Sequence, residues 1–270
     1  MQKIFERYRY SWVLLKELVR TDFKLRYQGS VLGMAWSVLK PMMLFAIMYV
    51  VFVRFLRFGE GIPHFAVSLL MATVLWSFFT EATGSGMRSI VDRGGLLRKI
   101  NFPKYIIVIS ATVSALINLV INLAVVLVFA VINGVDFRWS ALLVPVFILE
   151  LYVLSLALAF LLSALYVKFR DVQHIWDVLM QGAFYATPII YPVSMIVAVS
   201  PSAAKVMMLN PVAQVIQDVR YNLVTTQTDT TWSMIDKWWV AIIPIVIVGA
   251  LIVGASMYFR KNSKKFAEMI

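Results

Sequence analysis

The run from Tyr105 to Asn133 carries no charged side chain. A helix needs about 20 apolar residues to cross a hydrocarbon core of about 30 Å, and in lipid only a helix or a closed barrel satisfies its own backbone. Five further apolar runs, 38–56, 64–84, 140–167, 172–197 and 238–259, accompany 105–133, so the sequence predicts six spans in one membrane domain over 1–270. The runs 105–133 and 140–167 exceed the required length and are expected to tilt or project. Only 14% of the residues are charged and 61% are hydrophobic; soluble domains carry roughly 25% charge, which excludes that class. The expected fold is an all-α integral membrane protein.

Charge placement gives the orientation. With both termini in the cytoplasm, nineteen of the 25 Lys and Arg residues fall inside, leaving Arg54, Arg57, Arg138, Lys205, Arg220 and Lys237 outside. Such a bias is what the positive-inside rule requires of an even number of spans. The net charge of +11 therefore belongs to loops facing anionic lipid, not to a nucleic-acid surface. The first 26 residues are studded with charge and have no continuous apolar centre, so no cleavable signal is expected. There is no Cys, hence no disulfide and no thiolate metal site.

Residues 1–26 have the pattern of an interfacial helix. Ile4, Tyr8, Trp12, Leu15, Val19 and Phe23 recur at helical spacing, with Arg9, Lys16, Arg20 and Lys24 on an adjacent face; the plainer alternative is a basic topogenic flank. From Arg26 to Pro41 the chain turns into the bilayer. Gly29 and Gly33 are expected to permit close packing, Trp36 to sit at headgroup level and Lys40-Pro41 to open the first span. Segment 88–103 has basic ends, an apolar centre of Leu96, Leu97, Ile100 and Phe102, and a Gly94-Gly95 break. It reads either as a short helix docking into a partner or as a solvated loop.

The run 172–197 is interrupted by Pro188 and Pro192. Proline removes a donor, and broken backbone at membrane depth needs protein or a water-filled cavity to satisfy it. The run is therefore either a span with a re-entrant or outward segment after Tyr185, elaborated over 186–236, or a kinked span with an ordinary loop. Charge inside a span costs several kcal/mol and marks a candidate site: Glu150 is one, near-terminal Glu81 another, and His174, Asp177 and Gln181 share a face. Glu150 equally suits a structural pair, and Asn118 with Asn122 suits interhelical hydrogen bonding. Phe45, Tyr49 and Phe52 form a stripe, and Phe184, Tyr185 and Tyr191 cluster at the break. Such faces can stack on sugar rings or simply fill space.

No Gly-Lys pair occurs, so there is no phosphate loop and no ATP site of that kind. His64 and His174 have no metal-ligand spacing, and no paired aspartates suit Mg²⁺ on a diphosphate.

Taken in order, Arg26-Tyr27-Gln28-Gly29-Ser30-Val31-Leu32-Gly33-Met34-Ala35-Trp36, Asn101-Phe102-Pro103, Phe169-Arg170-Asp171-Val172, Thr187-Pro188-Ile189-Ile190-Tyr191-Pro192 and Asn210-Pro211 resemble the permease subunit of ABC-2-type polysaccharide exporters over essentially the whole chain. The resemblance implies a homodimer of six-span subunits in the bacterial cytoplasmic membrane. A channel runs between the subunits, and two copies of a separate ATPase hold the ATP and Mg²⁺, leaving no cofactor on this chain. It implies that Arg93, Leu96, Leu97, Arg98, Lys99, Ile100 and Phe102 form the ATPase-coupling helix, with Trp12, Lys16, Arg20 and Lys24 on the interface helix. It likewise implies that residues 186–236 form an outer gate. On this reading Phe45, Tyr49, Phe52, Phe184, Tyr185 and Tyr191, singled out by their pattern, are expected to line the pathway of a lipid-linked polysaccharide of teichoic-acid or O-antigen type, with Arg54 and Arg57 at the outer mouth and Glu150 and Asp177 as intramembrane polar groups. The competing expectations are an ABC-2 permease for a drug or small lipid, a membrane-embedded glycan-lipid enzyme, and an ion-coupled carrier using Glu150 and Asp177.

Overall fold

The computed structural model describes residues 2–26, 29–99 and 102–269. The centre of the fold is one helix, α3 (Phe65–Asp92), packed against α5 (Tyr105–Ile132) and α6 (Val144–Lys168). In the most apolar part of α3, 78% of the residues are buried, against 11% for α2 (Trp36–Met48 with its wider continuation Tyr49–Phe55). Lipid tails are as apolar as leucine, so such helices associate by close packing rather than by hydrophobicity. Gly86 shows the cost of that closeness, because a Cβ there would lie 2.5 Å from the Cβ of Ala159 on α6. Several buried hydroxyls on these helices are satisfied within them: Thr73 donates to Leu69 O, Thr83 to Phe79 O and Ser155 to Leu151 O.

Among the described residues, five helices are long and apolar enough to cross a membrane: Trp36–Phe55, Phe65–Asp92, Tyr105–Ile132, Trp139–Lys168 and Trp238–Lys265. The run expected over 172–197 behaves differently. Helix α7 (Val172–Ala186) has 15 residues, a rise of about 22 Å at 1.5 Å each. The chain then breaks over 187–192 and continues as the short α8 (Val193–Val199) and α9 (Pro201–Met207). Helix α10 (Pro211–Leu223) follows, with Asn210 Oδ1 accepting from Val212 N and Pro211 in the first turn, the usual chemistry of a helix start. Short helices α11 (Thr231–Met234) and α12 (Trp238–Ala241) lead into α13 (Ile243–Asn262).

Alternation of the long helices puts most cations at one end. Arg88, Arg98, Lys99, Lys104, Lys168, Arg170, Arg260, Lys261, Lys264 and Lys265 flank helix ends there, beside α1 (Gln2–Arg26). We call this the basic end and the other the far end. Helix α1 packs along α5 through Leu14 and Leu18, with Trp12 69% exposed. Gly29 and Gly33 have φ of +78° and +50°, and among the described residues nothing lies within 4 Å of a Cβ at either. They serve a left-handed turn, so the close packing expected of them is not their role here.

Candidate functional site

Between α2, α3, α5 and α7 lies a cleft of about 1000 Å³. Its construction begins with Pro41 inside α2, which has no N–H for the Ser37 carbonyl one turn back. Asn122 of α5 supplies a donor, with Nδ2 3.1 Å from Ser37 O. One turn earlier on α5, Asn118 Nδ2 donates to Glu81 Oε1 at 2.9 Å. The two amides therefore do interhelical work and line the cleft wall at the same time. Trp176 of α7 closes another side, donating to Thr83 Oγ1 of α3 at 3.3 Å. Trp36, Trp76, Trp176 and Phe184 supply aromatic surface, and Lys40 with Arg88 place two cations on the wall near the basic end. Such a lining suits a ligand with both sugar rings and phosphate oxygens.

The predicted pathway residues divide. Phe184 and Asp177 line the cleft. Phe45 is buried against Phe129 of α5, ring centroids 5.5 Å apart, and Tyr49 and Phe52 pack against the same core, so the α2 stripe faces inward to α5. Tyr185 is exposed, and Tyr191 Oη donates to its carbonyl across the break at 2.7 Å. Arg54 lies exposed over the Tyr49 ring, and Arg57 is exposed in a left-handed turn with φ of +55°.

At the basic end, α4 (Gly94–Lys99) follows α3 after a turn at Arg93. The apolar knobs expected to face a partner are instead used internally. Leu97 and Phe102 are buried at 8% and 6% exposure, with Leu96 against them, in a cluster including Leu14, Leu18, Ile107, Val167, Phe259 and Phe266. The reason is steric: the chain reverses from α3 into α5, which turns these side chains back onto the helix ends. Arg98 and Lys99 remain exposed, as do Lys16, Arg20 and Lys24 on α1. Arg93 is tied to Asp22 of α1 by an ion pair and donates to Ser110 Oγ of α5 at 2.6 Å. Ile100, also predicted for this surface, lies outside the described residues.

Sequence reading overlooked the far end. Arg220 of α10, counted there as one more outer cation, is 2% exposed. Its Nη1 donates to Pro188 O at 2.6 Å and to Gln217 Oε1 at 2.9 Å, its Nη2 to Ile189 O at 2.6 Å, and its Nε to Ser68 O at 3.1 Å. Burial lowers its pKa to about 9, which leaves it charged at neutral pH. On another face of α10, Gln214 Nε2 bridges Asp218 Oδ2 at 2.9 Å and Glu150 Oε2 of α6 at 3.4 Å. Burial raises the Asp218 pKa to about 6, against an opposing hydrogen bond from Gln214. Glu150 Oε1 and Gln214 Oε1 are buried with no hydrogen-bond partner among the described residues. The legible signal was the pairs Gln214/Gln217, Gln214/Asp218 and Gln217/Arg220, each three or four apart, in a largely apolar segment opened by Asn210-Pro211.

Comparison with known proteins adds a whole-chain relationship. Residues 13–224 match the family described as ABC-2 type transporter. An O-antigen export system permease protein RfbA from Myxococcus xanthus is 32% identical over 272 residues, covering 98% of each chain. Two such permease proteins from Klebsiella pneumoniae are each 24% identical over 265 residues, covering 97% of this chain and 96% of theirs.

Proposed function

The chain belongs to the ABC-2 type transporter family, and from that premise we propose that it is the membrane-spanning permease subunit of a polysaccharide exporter. The observation that carries this reading is the end-to-end relationship to O-antigen export permeases. Hydrolysis of ATP then takes place on a separate subunit, and ATP with Mg²⁺ is held there.

The finer reading is a homodimer in the bacterial cytoplasmic membrane, served by two ATPase copies, with the basic end and both termini in the cytoplasm. Under that reading α7 and its continuation complete a sixth crossing, and 186–236 forms the outer gate around α10. The cargo is a lipid-linked polysaccharide of O-antigen type. The cleft supports this choice, because Lys40 and Arg88 suit phosphate oxygens and the tryptophans suit sugar faces. Arg98 and Lys99 are the groups of α4 left free to meet the ATPase.

The test is purification of the tagged chain from cells of its source organism that express it together with their ABC ATPase subunits. The expected result is a stable complex whose ATP hydrolysis rises when lipid-linked polysaccharide is added. Transport by the purified chain alone, driven by an ion gradient, would replace this reading with a carrier.

A further inference from the structure

We propose that Asp22, Arg93 and Ser110 form a latch that passes movement of α4 to α1 and α5, making Arg93 a positioning residue of the transport cycle. The inference rests on the reading of α4 as the ATPase-facing helix. Its ground is that one residue belongs to two systems. The backbone of Arg93 is part of α4, because its carbonyl accepts the first two bonds of that helix, from Leu96 N at 3.0 Å and Leu97 N at 3.1 Å. The side chain of Arg93 belongs elsewhere, ion-paired to Asp22 on α1 and donating to Ser110 on α5. Displacement of α4 therefore draws the guanidinium with it, and the guanidinium draws α1 and α5.

The neighbouring contacts would not do this alone. Leu14, Leu18, Leu96 and Leu97 meet through apolar surfaces, which have no directional preference and tolerate sliding. A guanidinium fork has fixed donor directions and holds both partners in register. The pair is also sheltered, with side-chain exposures of 17% and 23%, so water and salt weaken it less than a surface pair. Arg93 itself sits where α3, the most buried helix, gives way to α4. The same turn thus reaches the bundle centre through the backbone and the peripheral helices through the side chain.

The test uses the full permease–ATPase complex and, in parallel, cells whose own permease gene is deleted, with surface polysaccharide as the readout. Asp22→Asn and Arg93→Gln each keep a similar shape and are expected to retain the ATPase on purification, while export falls roughly tenfold, as loss of a coupled pair implies. The exchange variant Asp22→Arg with Arg93→Asp is expected to recover export to within about threefold of the unaltered protein, since the pair is restored with reversed sense. Arg93→Lys, which keeps the charge and loses the fork, is expected to fall between. Normal export by both single variants overturns the latch. So does an exchange variant as inactive as the single ones. If no ATPase accompanies the unaltered chain, the functional reading fails and the latch falls with it.

Discussion

The two ends of the helix bundle are held by opposite means. At the basic end an apolar cluster gathers α1, α4, α5, α6 and α13, and the partly sheltered Asp22–Arg93 ion pair crosses it. At the far end a fully buried guanidinium fastens broken backbone to α3 and α10, and a glutamine joins two carboxyl groups beside it. Apolar contacts can shift by small amounts at little cost, whereas a buried charge with four fixed acceptors must keep them all or lose heavily. The basic end can therefore absorb small shifts, whereas the far end resists any partial rearrangement.

The most severe way to break this comparison is Arg220→Met. The carbonyls of Pro188, Ile189 and Ser68 lose their donor in a buried site, and the expected cost is roughly 3–5 kcal/mol. A large fall in the thermal midpoint of the detergent-solubilised protein checks it. Leu97→Ala should cost less, about 2–3 kcal/mol by cavity formation, because the basic-end cluster can relax around the loss. If the two variants are equally destabilised, the contrast between the ends is lost.

Protonation sharpens the same comparison. Asp218 has a raised pKa of about 6, so the folded protein keeps a proton that the unfolded chain has already released from near pH 4. The folded state is thus favoured at low pH and loses ground as pH rises through 6. Between pH 5 and pH 8 the expected decline attributable to this group is on the order of 1 kcal/mol. Thermal melts of Asp218→Asn should lack that component; an unchanged pH profile would show the far end indifferent to this carboxyl. The smallest effect on stability is expected from Arg98→Glu combined with Lys99→Glu, within about 0.5 kcal/mol because both side chains are exposed. Co-purification of the ATPase should nevertheless drop. Unaltered association would mean that docking does not use the free face of α4.

Much of the far end was illegible in the sequence for one reason. Counting cations by loop treats Arg220 and Arg138 alike, although one is buried under carbonyls and the other is exposed. Equally, the leucines of α4 read as exposed knobs because a six-residue helix offers no pattern showing which neighbour covers it. The break at 187–192 was legible, since proline acts on its own backbone. So was the α2 stripe as a stripe, but its facing was decided by Phe129, far along the chain.

By itself the sequence determined the helices, their apolar character, the basic bias of one end and the break after α7. These follow from residue type and local spacing, and lipid allows few alternatives to the helix. Tertiary structure alone decided which helix is central, which cations are free and which are fastened. It also decided that Pro41 needs Asn122 and that Pro188 needs Arg220. Those pairings join residues far apart in sequence, and a hydrogen-bond partner across such a distance is chosen by packing, which no local pattern encodes.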